Sequence, residues 1–101
     1  MIIRQWRGRA PRADAARYPA HFVGKVLPEL QAVDGFVGAY LGQRDLGETV
    51  EFLVLTRWAS MDAIRAFAGA DIEKAVVEPE AAAALRDFDL EVQHYDVLHK
   101  V

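Results

Sequence analysis

Thr49-Val-Glu-Phe-Leu-Val-Leu-Thr-Arg-Trp58 is the stretch that decides the fold. It is rich in β-branched and aromatic residues and follows the turn Leu46-Gly47-Glu48, so it reads as a strand. Side chains along a strand alternate between two faces. Here Phe52, Leu53, Val54 and Leu55 are apolar on both parities. A strand that is apolar on both faces is covered on both faces.

Working outward, Gly35 and Gly38 flank Phe36 and Val37, and a second strand runs from there to about Arg44. Residues 2–10 form a further strand, ended by Gly8 and Pro11. Between them, residues 13–30 carry apolar groups at Ala15, Tyr18, Phe22, Val26 and Leu30, the spacing of a helix. Pro19 implies a break near Tyr18 or a kink, and Pro28 an early close or a short terminal turn. After the decisive strand, Ser60 has the place of a helix N-cap, Asp62 sits in the first turn, and Gly69 stops the helix. Short helical pieces are expected at Asp71–Ala75 and from Glu80 to Leu85. Residues 88–99 alternate as a final strand.

The order is β-α-β-β-α-β. The expected fold class is α+β, ferredoxin-like: an antiparallel four-stranded sheet with two helices on one face. The chain of 101 residues reads as a single domain, 1–101. Two helices cover one face only, so the sheet of a second copy is the simplest cover for the other. A homodimer forming an α+β barrel is therefore expected. The absence of cysteine adds to this, because no disulfide or thiolate metal site can supplement so short a core.

Composition narrows the function classes. Hydrophobic residues at 52% and charged residues at 27% fit a folded chain and not a disordered one. No apolar run approaches a bilayer span, and the start Met1-Ile-Ile-Arg-Gln-Trp-Arg7 has no apolar signal region. No membrane association is expected, and the cytoplasm is the default compartment. Net charge is −3, against the basic balance usual in duplex binding, so no nucleic acid is expected. The charge is uneven. Arg4, Arg7, Arg9, Arg12, Arg17 and Lys25 crowd the first 25 residues, while Glu78, Glu80, Asp87, Asp89 and Glu91 crowd residues 78–91. The plain reading is mutual neutralisation; the alternative is an anionic ligand.

The stretch Leu53-Val-Leu-Thr-Arg-Trp-Ala-Ser-Met-Asp-Ala-Ile-Arg-Ala-Phe-Ala-Gly69 resembles the antibiotic biosynthesis monooxygenase domain family. So do the ending Phe88-Asp-Leu-Glu-Val-Gln-His-Tyr-Asp-Val97 and the turn Val33-Asp-Gly-Phe36. The resemblance implies the dimeric α+β barrel, two ferredoxin-like units packed sheet to sheet. It implies a choice of chemistries, cofactor-free oxygenation of polyphenols or quinols or heme degradation, beside many members of unknown activity. The heme-degrading branch carries an asparagine on the first strand and a tryptophan followed ten residues later by a histidine ligand. Phe67 and Val77 stand at the corresponding helix positions here, and the chain has no asparagine. The resemblance therefore disfavours heme degradation.

The residues themselves offer three histidines near neutral pKa. His94 on the last strand and His21 on the first helix are the candidate bases; His99 lies near the terminus. Arg4 and Arg57 are candidates to hold an enolate or carboxylate. Trp6, Tyr40 and Trp58 are candidate ligand contacts, each with a polar handle, and Phe22, Phe36, Phe52 and Phe67 are candidate pocket walls. The plain alternative for all of them is packing or a solvated rim. His94 and His99 lie five apart on a strand and point to opposite faces, so no metal site is expected. Ser60, the only serine, reads as a cap. The leading reading is a monooxygenase of a small aromatic compound with no cofactor, its pocket between the helices and the sheet. The alternative is a non-catalytic dimer that binds a small ligand or a partner.

Overall fold

Strand β3 (Thr49–Trp58) is the spine of the sheet, paired on both sides along its whole length. The computed structural model describes residues 1–101. Strand β1 (Ile2–Pro11) and strand β2 (Phe36–Asp45) flank β3, both antiparallel to it. Two short strands, β4 (Asp87–Phe88) and β5 (Gln93–Asp96), share the far edge of β1, giving the order β2-β3-β1-β4. The fold is α+β and ferredoxin-like, as the element order implied.

Parity sorts the side chains. Val50, Phe52, Val54, Thr56 and Trp58 of β3 face the helices, together with Arg4, Trp6, Gly8 and Ala10 of β1. Phe52 and Trp58 are fully buried there. Leu53, Leu55 and Arg57 turn to the opposite face, beside Ile3 and Arg7. That face carries no element of this chain.

The first helical region is one rod in three parts: α1 (Arg17–His21), a π-helical turn over Phe22–Val26, and α2 (Leu27–Gln31). A short 3-10 turn, Arg12–Asp14, precedes it. Pro19 falls in the first turn, where its missing N–H has no partner to lose. Pro28 would clash with the carbonyl four residues back in a regular helix. The wider π turn absorbs it, so the rod runs on to Gln31 rather than closing at Pro28.

Helix α3 (Met61–Ala68) begins as expected. The Ser60 hydroxyl accepts the Ala63 N–H at 3.2 Å, and Gly69 ends the helix at a left-handed φ of 86°. Helix α4 (Pro79–Ala84) follows an extended strap, residues 70–78. Two expectations fail along here. Residues 71–75 form a turn and an extended bridge, not a helix. The last strand is broken rather than continuous over 88–99, because residues 90–92 leave β1 and bond the strap instead. The Ala75 N–H reaches the Leu90 carbonyl at 2.9 Å, and the Val92 N–H reaches that of Glu73 at 2.7 Å.

The uneven charge is settled partly within the chain. Arg9 pairs with Asp87 and Asp89, and Lys25 with Glu78 and Glu80. No helix is long and apolar enough to cross a membrane.

Parity makes a stability prediction. Phe52→Ala is expected to cost about 3–5 kcal/mol, since it empties a sealed core site. Leu53→Ala, one residue along, is expected to cost distinctly less in the monomer. Urea unfolding at low protein concentration checks this, and a larger loss at Leu53 would mean that the opposite face packs on the helices.

Candidate functional site

A cavity lies between the helix rod and the sheet. Trp6, Val54 and Thr56 form its floor, Tyr18, His21, Val26 and Leu30 one wall, and Phe67 and Val92 line it further. Val76, Val77 and Ala81 close it from the strap and α4, with Glu29 and Glu78 also in its lining. Its volume is about 70 Å³. That holds a few waters, and it falls well short of the roughly 300 Å³ at the small end of drug-sized ligand pockets. A ring system needs more room than this.

Arg4 dominates the electrostatics. It is 5% exposed, and no carboxylate pairs with it. Its Nη1 donates to the Ile72 carbonyl at 2.6 Å and to His94 Nε2 at 3.0 Å, and its Nη2 donates to the Lys74 carbonyl at 3.1 Å. The guanidinium also sits 6.0 Å from the Phe67 ring centre. Burial lowers its pKa to about 10, so it stays charged at neutrality. A buried charge met only by neutral acceptors attracts an anion strongly.

His94 accepts from Arg4, so its Nε2 lone pair is engaged and the ring lies behind the arginine rather than in the cavity lining. Burial, then the Arg4 charge, pulls its pKa below the ordinary histidine value. His21 differs. Its side chain is 9% exposed, and its Nε2 is buried without a partner. Its Nδ1 lies 3.5 Å from Glu80 Oε2. Tyr18 lies beside it, with ring centres 6.3 Å apart. Burial pushes the Tyr18 phenol well up, so it remains a neutral O–H donor.

The candidate residues named from the sequence fall in three groups. Trp6, His21 and Phe67 line the cavity together with Arg4. Phe22, Phe36, Phe52 and Trp58 are packed beside or beneath it without lining it. Phe52 rests on Tyr18 with centres 5.3 Å apart, and Trp58 is held between Phe36 and Phe67. Tyr40 and Arg57 require correction. They stack on each other at 5.6 Å on the opposite face of the sheet and cannot reach the cavity.

The indole donors are also spent. Trp6 Nε1–H bonds the Asp89 carbonyl at 2.8 Å, and Trp58 Nε1–H bonds the Thr56 hydroxyl at 2.8 Å. Sequence reasoning missed Tyr18 and Glu80 as polar members. Tyr18 was hidden in the apolar stripe, and no spacing rule links Glu80 to His21 across 59 positions. No cluster of three or more histidine or acidic side chains is placed to hold a metal ion.

His94 makes a pH prediction. Its folded pKa lies below its unfolded value, so the unfolded chain binds the proton more readily. Its contribution to stability is complete above the unfolded pKa of about 6.5 and is lost as pH falls through the folded value. The urea midpoint of the wild type should fall across this window, and His94→Gln should flatten the fall. An identical slope in both proteins would remove His94 as the cause.

The profile of the family described as antibiotic biosynthesis monooxygenase matches residues 1–79. Among solved structures, SnoaB, a cofactor-independent oxygenase from Streptomyces nogalater, superposes with a TM-score of 0.63 at 17% identity, covering 99% of this chain and 96% of that one. The monooxygenase from the gene ActVA-Orf6 of Streptomyces coelicolor, in complex with nanaomycin D, gives 0.63 at 16%, covering 99% and 89%. The heme-degrader MhuD of Mycobacterium tuberculosis, with two hemes in its active site, gives 0.64 at 20%, covering 100% and 99%. At these identities the likeness is one of fold. No curated protein sequence matches the chain.

Proposed function

Because this chain belongs to the antibiotic biosynthesis monooxygenase family, we propose that it oxidises a small, electron-rich aromatic compound of the polyphenol, anthrone or quinol class with molecular oxygen, without a cofactor. One observation carries this reading: a buried arginine with no acidic partner lines the same apolar cavity as His21, whose Nε2 is buried without a partner.

Ground-state oxygen is a triplet and reacts slowly with closed-shell organics. The substrate must therefore supply an electron itself, which an anion does readily. His21 Nε2 takes a proton from a phenolic O–H or an activated CH₂, leaving the electron pair on the substrate. The Arg4 guanidinium holds the resulting oxyanion, and the Tyr18 hydroxyl is placed to assist as a donor. The anion passes one electron to oxygen, the two radicals join as a peroxide, and loss of water leaves a carbonyl. A CH₂ and one O₂ thus give C=O and H₂O. Trp6, Val54, Phe67 and Val77 exclude water around the charge. His94 serves from behind by fixing Arg4. Phe67 and Val77 weigh against heme degradation, since both line the cavity and neither offers a nitrogen to iron.

Oxygen consumption by metal-free protein with an anthrone-type substrate tests the reading. His21→Ala and Arg4→Gln should each lower the rate at least about tenfold, the lower end of what a positioned base contributes. Binding without oxygen uptake would favour the non-catalytic alternative.

The partner in this proposal is a second copy of the chain. The open sheet face presents Ile3, Leu53, Leu55, Tyr40 and Tyr95, the last two more than half exposed. Sheet-to-sheet packing of two copies would close the barrel and bury on the order of 800 Å² per partner. Sedimentation at micromolar concentration should give twice 11.3 kDa, and Leu55→Glu should give monomers. A stable wild-type monomer would overturn the barrel.

A further inference from the structure

We propose that Glu80 is the positioning residue of His21: it holds the imidazole in the tautomer with the proton on Nδ1, so that Nε2 carries the lone pair. The inference rests on the reading of His21 as a base, and it assigns a role to a residue outside the cavity lining.

Three observations meet at this imidazole. Its Nδ1 lies 3.5 Å from Glu80 Oε2, its Nε2 is buried without any partner, and the ring is nine-tenths enclosed. A neutral imidazole carries one proton, and the nitrogen that bears it is set by whichever nitrogen finds an acceptor. Only Nδ1 has one here. A proton on Nε2 would leave Nδ1 facing a carboxylate with no proton between them. The geometry therefore selects Nδ1–H, and the opposite nitrogen becomes the acceptor.

The carboxylate also lies near a lysine. Its second oxygen, Oε1, lies 3.6 Å from Lys25 Nζ, which bonds Glu78 more closely at 2.9 Å. Lys25 thus lies on the side of one Glu80 oxygen, and the other faces His21. Glu80 is the first residue after Pro79, whose ring pre-sets the start of α4. Helix α4 packs against α1, the helix that carries His21. Other charges lie near the ring: Arg17 on its own helix, which shares a surface groove with His21 and Glu80, and Glu29 one turn beyond Lys25. Neither forms a hydrogen bond or ion pair with the imidazole.

When His21 takes a proton at Nε2, the ring becomes an imidazolium and the substrate keeps the electron pair. Glu80 then faces a positive ring across the same 3.5 Å, and that pairing of charges favours the transfer. No oxidant takes part in this step. Glu80 touches no substrate and acts only through His21.

Nitrogen-15 NMR of the imidazole at a pH where it is neutral tests the pairing without any substrate. His21 is assigned by the loss of its signals in His21→Gln. The wild type should show a protonated-type shift at Nδ1 and an unprotonated-type shift at Nε2. Glu80→Ala should move the ring toward the Nε2–H form. Glu80→Gln should keep the wild-type tautomer, because its amide oxygen still accepts. In turnover, Glu80→Ala should lower kcat about tenfold with KM little changed, the mark of an effect on proton transfer rather than binding. Glu80 is largely exposed, so these variants are expected to fold. An Nε2–H tautomer in the wild type, or one unmoved in Glu80→Ala, would overturn the proposal. The expected tautomers in a protein that consumes no oxygen would uphold the pairing and overturn the oxygenase reading instead.

Discussion

A positive charge buried without an acid to meet it organises the helix side of this protein. Arg4 sits on the central sheet, and its guanidinium is satisfied by the carbonyls of Ile72 and Lys74 and by His94. Those bonds hold the strap to the sheet and His94 to Arg4. They also leave a net charge beside an apolar space. Taking a charge out of water without a counter-ion costs several kcal/mol. A fold that retains such a charge does so at the expense of stability, and the cavity beside it is where an anion would recover the loss. The same bonds hold the strap beside the cavity.

Much of this arrangement was legible in the sequence. The double parity of Phe52 to Leu55 implied a sheet with two covered faces, and the structure puts helices on one and leaves the other bare. Ser60 and Gly69 marked both ends of α3 correctly, because capping chemistry is local. Trp6, His21 and Phe67 were within reach of periodicity because each lies on a regular element facing inward.

What was misread has identifiable physical causes. A bulge sets Phe36 opposite Trp58 but Gly38 opposite Arg57, which inverts the parity of the rest of β2. Without that extra residue Tyr40 would face the cavity; with it, Tyr40 faces outward. Arg57 is a plainer case. It is adjacent to Trp58 on a regular strand, and period two alone places the two on opposite faces. The broken last strand had no local signal, since its interruption is set by bonds to the strap, and the strap itself has no periodicity to read. The pairing of His21 with Glu80 joins two elements that only the tertiary fold brings together. The spent Trp6 donor likewise depends on a partner distant in sequence, Asp89, whereas that of Trp58 meets Thr56 two residues back on the same strand.

The central claim is that the functional centre is the cavity around Arg4 and His21, within one subunit, rather than the aromatic and cationic pair on the open face. A crystal structure of the protein with an anthrone-type ligand tests this most directly. The ring system is expected between the helix rod and the sheet, with an oxygen within hydrogen-bond distance of the Arg4 guanidinium and the strap displaced outward. A ligand seated instead on the open face, against Tyr40 and Arg57, with the Arg4 cavity still closed, would contradict it.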